Sequence, residues 1–125
     1  RVPCVLVVDD DPSICDAVTS ILRDERYIVA SASNGREALE LMRNGFKPAA
    51  LLLDLWMPDL DGPATIAEMK ADPALASVPI VLITAAGDAE IKAHAHRADG
   101  VMKKPLDLYE LLDVVEEIVA GARIW

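Results

Sequence analysis

No apolar run in this chain approaches the roughly 20 residues that a membrane-spanning helix needs. The longest are near five residues, as in Cys4–Val8 and Ala49–Leu53. The N-terminus lacks the charged and then apolar pattern of a secretory signal. These two absences point to a cytoplasmic domain with no membrane partner. The chain opens on Arg1 without a starting Met, so a stand-alone protein and a domain cut from a longer one both stay open. Cysteine is scarce. Cys4 and Cys15 are too few for a disulfide scaffold and read as reduced thiols near the core. Positive charge is in deficit, with 12 Lys and Arg against 21 Asp and Glu and a net charge of −9. Without a basic patch, this domain alone is not expected to hold nucleic acid or an anionic membrane. Repeats, low-complexity segments and linkers are also missing, so residues 1–125 read as one domain. The 53% of hydrophobic residues suffices for a core and excludes disorder.

What is present is a regular alternation. Five apolar runs, Cys4–Val8, Tyr27–Ala32, Ala50–Leu53, Ile80–Thr84 and Gly100–Lys103, alternate with helical patterns. Three of the runs are apolar without alternation, as a parallel sheet covered on both faces requires. Asp11 and Pro12 suit the cap and first turn of helix 1, whose stripe is Ile14, Ala17, Val18, Ile21 and Leu22. Asn34-Gly35 opens helix 2, and Asn44-Gly45 stops it. Helix 3 follows Gly62 and ends before Pro73, and helix 4 is expected from about Asp88 to Arg97. Helix 5 carries Leu108, Leu111, Leu112, Val115, Ile118 and Val119 on one face and ends at Gly121. Five βα units predict an α/β fold: a doubly wound five-stranded parallel sheet in the flavodoxin-like order 2-1-3-4-5, with helices on both faces. Such a sheet places its site beyond the carboxyl ends of the strands.

Those ends are where the polar residues gather. Strand 1 runs into Asp9, Asp10 and Asp11, strand 3 into Asp54, strand 4 ends at Thr84, and strand 5 ends near Lys103, Lys104 and Pro105. Two carboxylates about 4 Å apart repel by roughly 4 kcal/mol at an effective dielectric near 20. Several together need a counter-charge, and an all-oxygen site favours Mg²⁺ or Mn²⁺ over zinc. His94 and His96 stand two apart on a helix and do not face each other, so they are read as structural or exposed. A carboxylate can attack phosphorus to form an acyl phosphate. Catalysis of that step is mainly positioning and charge neutralisation, for which a cation, an ammonium and a hydroxyl are suited. Asp54, the acidic cluster, Thr84 and Lys104 supply these groups. Asp11 precedes a proline and is better used as a cap, which leaves Asp9 and Asp10 first at the sheet edge. Asp59 and Asp61 are read as solvent-facing loop acids.

Four segments now stand in order on the expected strand ends: VLVVDDDP at 5–12, LLLDLWMPDLDG at 51–62, PIVLITA at 79–85 and VMKKPL at 101–106. With them the whole chain resembles a response-regulator receiver domain of two-component phosphorelays. The resemblance implies that Asp54 is the phosphoacceptor. It implies that Asp9 and Asp10 organise Mg²⁺, Asp10 directly and Asp9 through water, and that Trp56 offers its backbone carbonyl to the metal. Thr84 would bond a phosphoryl oxygen, and the small Ala85 would leave room for a backbone amide to do so. Lys104 would pair with the phosphoryl group, Lys103 would be its solvated neighbour, and the Lys104–Pro105 bond would be cis. The implied partners are a histidine kinase or a histidine phosphotransfer domain, and an output domain or target protein. A homodimer through the face of helix 4, strand 5 and helix 5 stays open. Such a domain is a switch rather than a metabolic enzyme, although it catalyses its own phosphorylation and dephosphorylation.

Two positions depart from that pattern. Val101 stands where the family carries Tyr or Phe, so signalling by rotation of that ring is not available, and output would rest on helix 4, loop shifts or another surface. Trp56 is bulky for its place two beyond the acceptor, and reads either as a loop aromatic or as a lid that keeps water from an acyl phosphate. Rival readings fit less well. Asp59-Leu60-Asp61-Gly62 imitates the signature of haloacid dehalogenase-type phosphatases, but it does not directly follow a hydrophobic strand. A flavodoxin-type carrier needs a phosphate loop where this chain has three aspartates. A degenerate receiver that binds partners without phosphorylation is the remaining alternative, and Val101 is what keeps it in play.

Overall fold

The computed structural model describes residues 2–85 and 87–121, with only the backbone described at Asp88. Residues 1, 86 and 122–125, which the single-domain reading includes, lie outside the described residues. The elements run β1 (Cys4–Val8), α1 (Pro12–Asp24), β2 (Ile28–Ala32), α2 (Gly35–Arg43), β3 (Ala50–Asp54), α3 (Gly62–Ala71), β4 (Ile80–Thr84), α4 (Asp88–Ala95), β5 (Gly100–Lys103) and α5 (Leu108–Val119). The sheet has the order β2-β1-β3-β4-β5 with every neighbouring pair parallel, as expected.

The continuous apolar strands are explained by two core layers. Leu6, Val8, Leu51, Leu53 and Leu82 point to the side of α2 and α3, where Ala38, Met42, Ile66 and Met69 cover them. Val5, Val7, Leu52, Val81 and Ile83 point to the side of α1 and α5, against Val18, Leu22, Leu111, Val115 and Ile118. Successive strand residues face opposite ways, so both parities must be apolar. Every residue of β3 and β4 is buried, Asp54 and Thr84 included.

Helix ends follow side-chain chemistry. Asp11 caps α1 by accepting from the Ser13 amide at 2.9 Å. Asn34 caps α2 by accepting from the Glu37 amide at 2.9 Å, and Asp107 caps α5 through the amides of Tyr109 and Glu110. α4 is different. Its N-cap is Gly87, with no side-chain cap, and Ala95 is its one buried side chain among those described. It stops at Ala95 rather than Arg97. There the amides of Arg97 and Ala98 bond back three residues, to His94 and Ala95, and tighten the last turn.

The segment between β3 and α3 folds back on the strand. The Gly62 amide donates to the Leu55 carbonyl at 2.9 Å. A Cβ at Gly62 would lie 2.7 Å from the Asp54 carbonyl oxygen and 2.8 Å from Leu55 Cα. Both are backbone atoms that cannot swing aside. Gly62→Ala is therefore expected to cost about 1–3 kcal/mol in urea unfolding. A loss below about 0.5 kcal/mol, typical of unconstrained surface positions, would show that the contact relaxes freely. Among the described residues no helix is long and apolar enough to cross a membrane.

Candidate functional site

The site is assembled at the carboxyl ends of β1, β3, β4 and β5. Asp9 follows β1, and its amide donates to the Ala32 carbonyl at 3.1 Å, which ties it to β2. Asp54 is the last residue of β3, and Thr84 is the buried last residue of β4, with the exposed Ala85 next. The Lys104 amide donates to the Thr84 carbonyl at 2.9 Å, so the turn after β5 is fixed to the end of β4. The Lys104–Pro105 peptide is cis, as expected.

Three of the aspartates meet there. One carboxylate oxygen each from Asp9, Asp10 and Asp54 lie within 4.8 Å of one another. Asp9 is 3% exposed and Asp54 6%, whereas Asp10 is open to solvent. Asp11 is the α1 cap and stands outside this group, as expected. Lys104 Nζ lies 2.9 Å from Asp9 Oδ2 and 3.5 Å from Asp54 Oδ2. Lys103 is exposed, so the lysine nearest the proline is the one that reaches the carboxylates.

Burial sets the electrostatics. Burial first, and then the Asp9 charge, raise the Asp54 pKa from 3.8 to about 6 against the pull of Lys104 and of the Trp56 amide. Burial works against the Lys104 charge, but contact with Asp9 and the charges of Asp54 and Asp9 hold its pKa above the ordinary value. Asp9 Oδ2 is buried, and the Lys104 ammonium at 2.9 Å is its close charged partner. Three carboxylates face one ammonium, which leaves two negative charges uncompensated when all are ionised. A hard divalent cation fits both that deficit and the all-oxygen donor set.

Other residues take less expected places. Trp56 is 47% exposed. Its indole Nε1–H donates to Glu90 Oε2 on α4 at 2.7 Å, and its ring stands edge-on to His94, centroids 6.1 Å apart at 88°. His94 is half-buried and His96 exposed. Asp61 is not simply a loop acid. It caps α3 by accepting from the Ala64 amide at 3.0 Å, and an aspartate before Gly-Pro at a helix start is the signal that could have revealed it. Asp59 is exposed but accepts from Asn34 Nδ2 at 3.3 Å. Val101 is half-buried against the α2 and α3 layer. Cys4 and Cys15 are free and half-buried. The Cys15 thiol donates to the Asp9 carbonyl at 3.3 Å, and burial, then the Asp9 charge, push its pKa up.

Comparison with known proteins places this geometry. The model of the response regulator receiver domain matches residues 5–116. The chain is 37% identical over 123 residues to the transcriptional regulatory protein ZraR of Escherichia coli O157:H7, covering 96% of this chain and 27% of ZraR. It is 35% identical over 115 residues to an uncharacterised 14.6 kDa protein of Leptolyngbya boryana, covering 90% of this chain and 87% of that one. Chemotaxis response regulator CheY4 of Vibrio cholerae superposes with a TM-score of 0.84 at 28% identity, covering 94% of this chain and 99% of that one. The chain thus spans about a quarter of the length of ZraR but nearly all of the two smaller proteins. The chain belongs to the response regulator receiver domain family of two-component systems.

Proposed function

We propose that Asp54 accepts a phosphoryl group and that the domain, residues 1–125, is a cytoplasmic signalling switch set by that event. The observation that carries this reading is the buried Asp54 carboxylate, with Lys104 Nζ at 3.5 Å and the oxygens of Asp9 and Asp10 beside it. The donor would be a phosphohistidine on a histidine kinase or phosphotransfer domain. An Asp54 carboxylate oxygen attacks phosphorus, the new O–P bond forms as the P–N bond breaks, and the imidazole nitrogen leaves with the bonding pair. The charge spread over the phosphoryl oxygens is met by groups already in place. Lys104 pairs with one oxygen, while the Thr84 hydroxyl and the Ala85 amide donate to others. Asp9, Asp10, Asp54 and the Trp56 carbonyl would hold Mg²⁺, or Mn²⁺, which neutralises phosphoryl charge when bound. Hydrolysis of the acyl phosphate at the same site resets the switch. The phosphoryl group favours one of two conformations, and an output domain or target protein reads the shift.

Incubation with acetyl phosphate and Mg²⁺, followed by intact-mass analysis, tests this. Wild type is expected to gain one phosphoryl adduct that Asp54→Asn does not gain. Absence of an adduct on wild type would instead favour an interaction module that works without phosphorylation.

A further inference from the structure

Trp56 joins the surroundings of Asp54 to α4. Its backbone amide, two residues beyond Asp54, faces the carboxylate closely enough to pull the Asp54 pKa down. Its indole N–H bonds Glu90 Oε2 at 2.7 Å, across 34 positions of sequence. The same ring stands edge-on to His94, one helical turn beyond Glu90. His94 Nδ1 lies 3.3 Å from Arg97 Nη2, just past the end of α4. The indole thus meets α4 at Glu90 and, one turn on, at His94.

α4 has little else to hold it. It lacks a side-chain N-cap, and its described side chains are exposed or half-buried except Ala95. A helix with so little buried apolar surface opens at low free-energy cost, and a single charge-assisted hydrogen bond is a large share of what restrains it.

We propose that Trp56 is a strap that fixes α4 in its resting position and ties that position to the state of Asp54. The coupling rests on the phosphoacceptor reading of Asp54; the strap itself does not. Its logic is local. Converting the Asp54 carboxylate to an acyl phosphate changes the acceptor that the Trp56 amide faces. A shift of that amide moves the indole attached to the same residue, and the Glu90 bond is directional enough to be lost by a small displacement. Release of Glu90 leaves α4 with fewer restraints, chiefly the buried Ala95, the half-buried Ile91 and its own turns. The element given two states is therefore α4, and the signal enters it through a side chain of the β3–α3 loop.

Hydrogen exchange of peptides covering residues 88–96 tests both parts in the full chain. The proteins are wild type, Trp56→Phe, which keeps a ring but removes the N–H, and Glu90→Ala, which removes the acceptor. Without phosphoryl mimic, both variants are expected to exchange in α4 roughly threefold or more faster than wild type, with α5 unchanged. Unchanged α4 exchange in both variants would overturn the strap. Beryllium fluoride with Mg²⁺ is expected to speed α4 exchange in wild type and to have little further effect in Glu90→Ala, which should still take the phosphoryl adduct from acetyl phosphate. An equal response in Glu90→Ala and wild type would overturn the coupling. Failure of wild type to take the adduct would overturn the phosphoacceptor reading and the coupling with it, while the resting exchange rates still decide the strap.

Discussion

Asp54→Asn is expected to make the domain more stable, by about 1–2 kcal/mol at pH 7 in the absence of divalent cation, or several degrees in Tm. The candidate nucleophile is a liability to the fold that carries it. Asp54 is 6% exposed and shares its site with two other carboxylates. Burial first, and the Asp9 charge second, raise its pKa from 3.8 to about 6. That gap corresponds to about 3 kcal/mol of preference for the neutral form. Solvent at the open, Asp10 side of the site screens part of it, so about half is expected. An amide of the same shape removes the charge and keeps the packing.

The pH dependence has a definite sign. A carboxyl with a raised pKa in the folded state binds its proton more tightly there than in the unfolded chain. Its stabilising contribution is fully present below about 3.8 and is lost as pH rises through about 6. Wild type and Asp54→Asn should therefore have similar stability near pH 3.5 and diverge through pH 4–6, with the variant ahead. Urea unfolding in EDTA across that range measures it. A variant less stable than wild type at pH 7, or a difference that ignores pH, would sink the account. Mg²⁺ should narrow the gap, because a cation that binds only the folded acidic site stabilises wild type by mass action and the neutralised variant less.

Much of this arrangement was legible before the structure. The strands showed because burial on both faces leaves no room for polar alternation, and four of the five begin where the apolar pattern begins, β2 starting one residue later at Ile28. The division of labour among Asp9, Asp10 and Asp11 showed because a proline after Asp11 marks a helix start, and the cap bond to Ser13 follows. α4 was the weakest of the helices to read. Its sequence carries no apolar stripe, since it buries almost nothing, and its end is set by bonds to His94 and Ala95 that no residue type announces. The reach of Trp56 to Glu90 was invisible for a different reason. The partners lie 34 positions apart on exposed ground, and no periodicity relates them. Gly62 showed as a helix-start residue, yet the contact with the Asp54 backbone that requires glycine is a tertiary fact.

Lys104→Met should have the opposite effect to Asp54→Asn, costing about 2 kcal/mol or more of stability and slowing phosphoryl transfer by roughly 100-fold or more. Lys104 supplies the positive charge within 4 Å of Asp9 Oδ2 and Asp54 Oδ2, at 2.9 and 3.5 Å. Removing it takes the ammonium from Asp9, a residue only 3% exposed, and leaves that buried carboxylate without the counter-charge now 2.9 Å away. Loss of one member of such a pair costs about 3–5 kcal/mol when both are fully buried. Lys104 is 19% exposed at its side chain, so a loss somewhat below that range is expected. The same substitution withdraws the charge that now pulls the Asp54 pKa down, so more of Asp54 is protonated at neutral pH and fewer molecules present a nucleophile. Lys103→Met is the control, because Lys103 is exposed and any pairing it loses is screened by water, so it should cost less than about 1 kcal/mol. Urea midpoints and the time course of adduct formation from acetyl phosphate separate the two lysines. If Lys103→Met proved the more damaging in both, the ammonium of the site would have to be reassigned, and with it the register of strand 5 against the proline that follows.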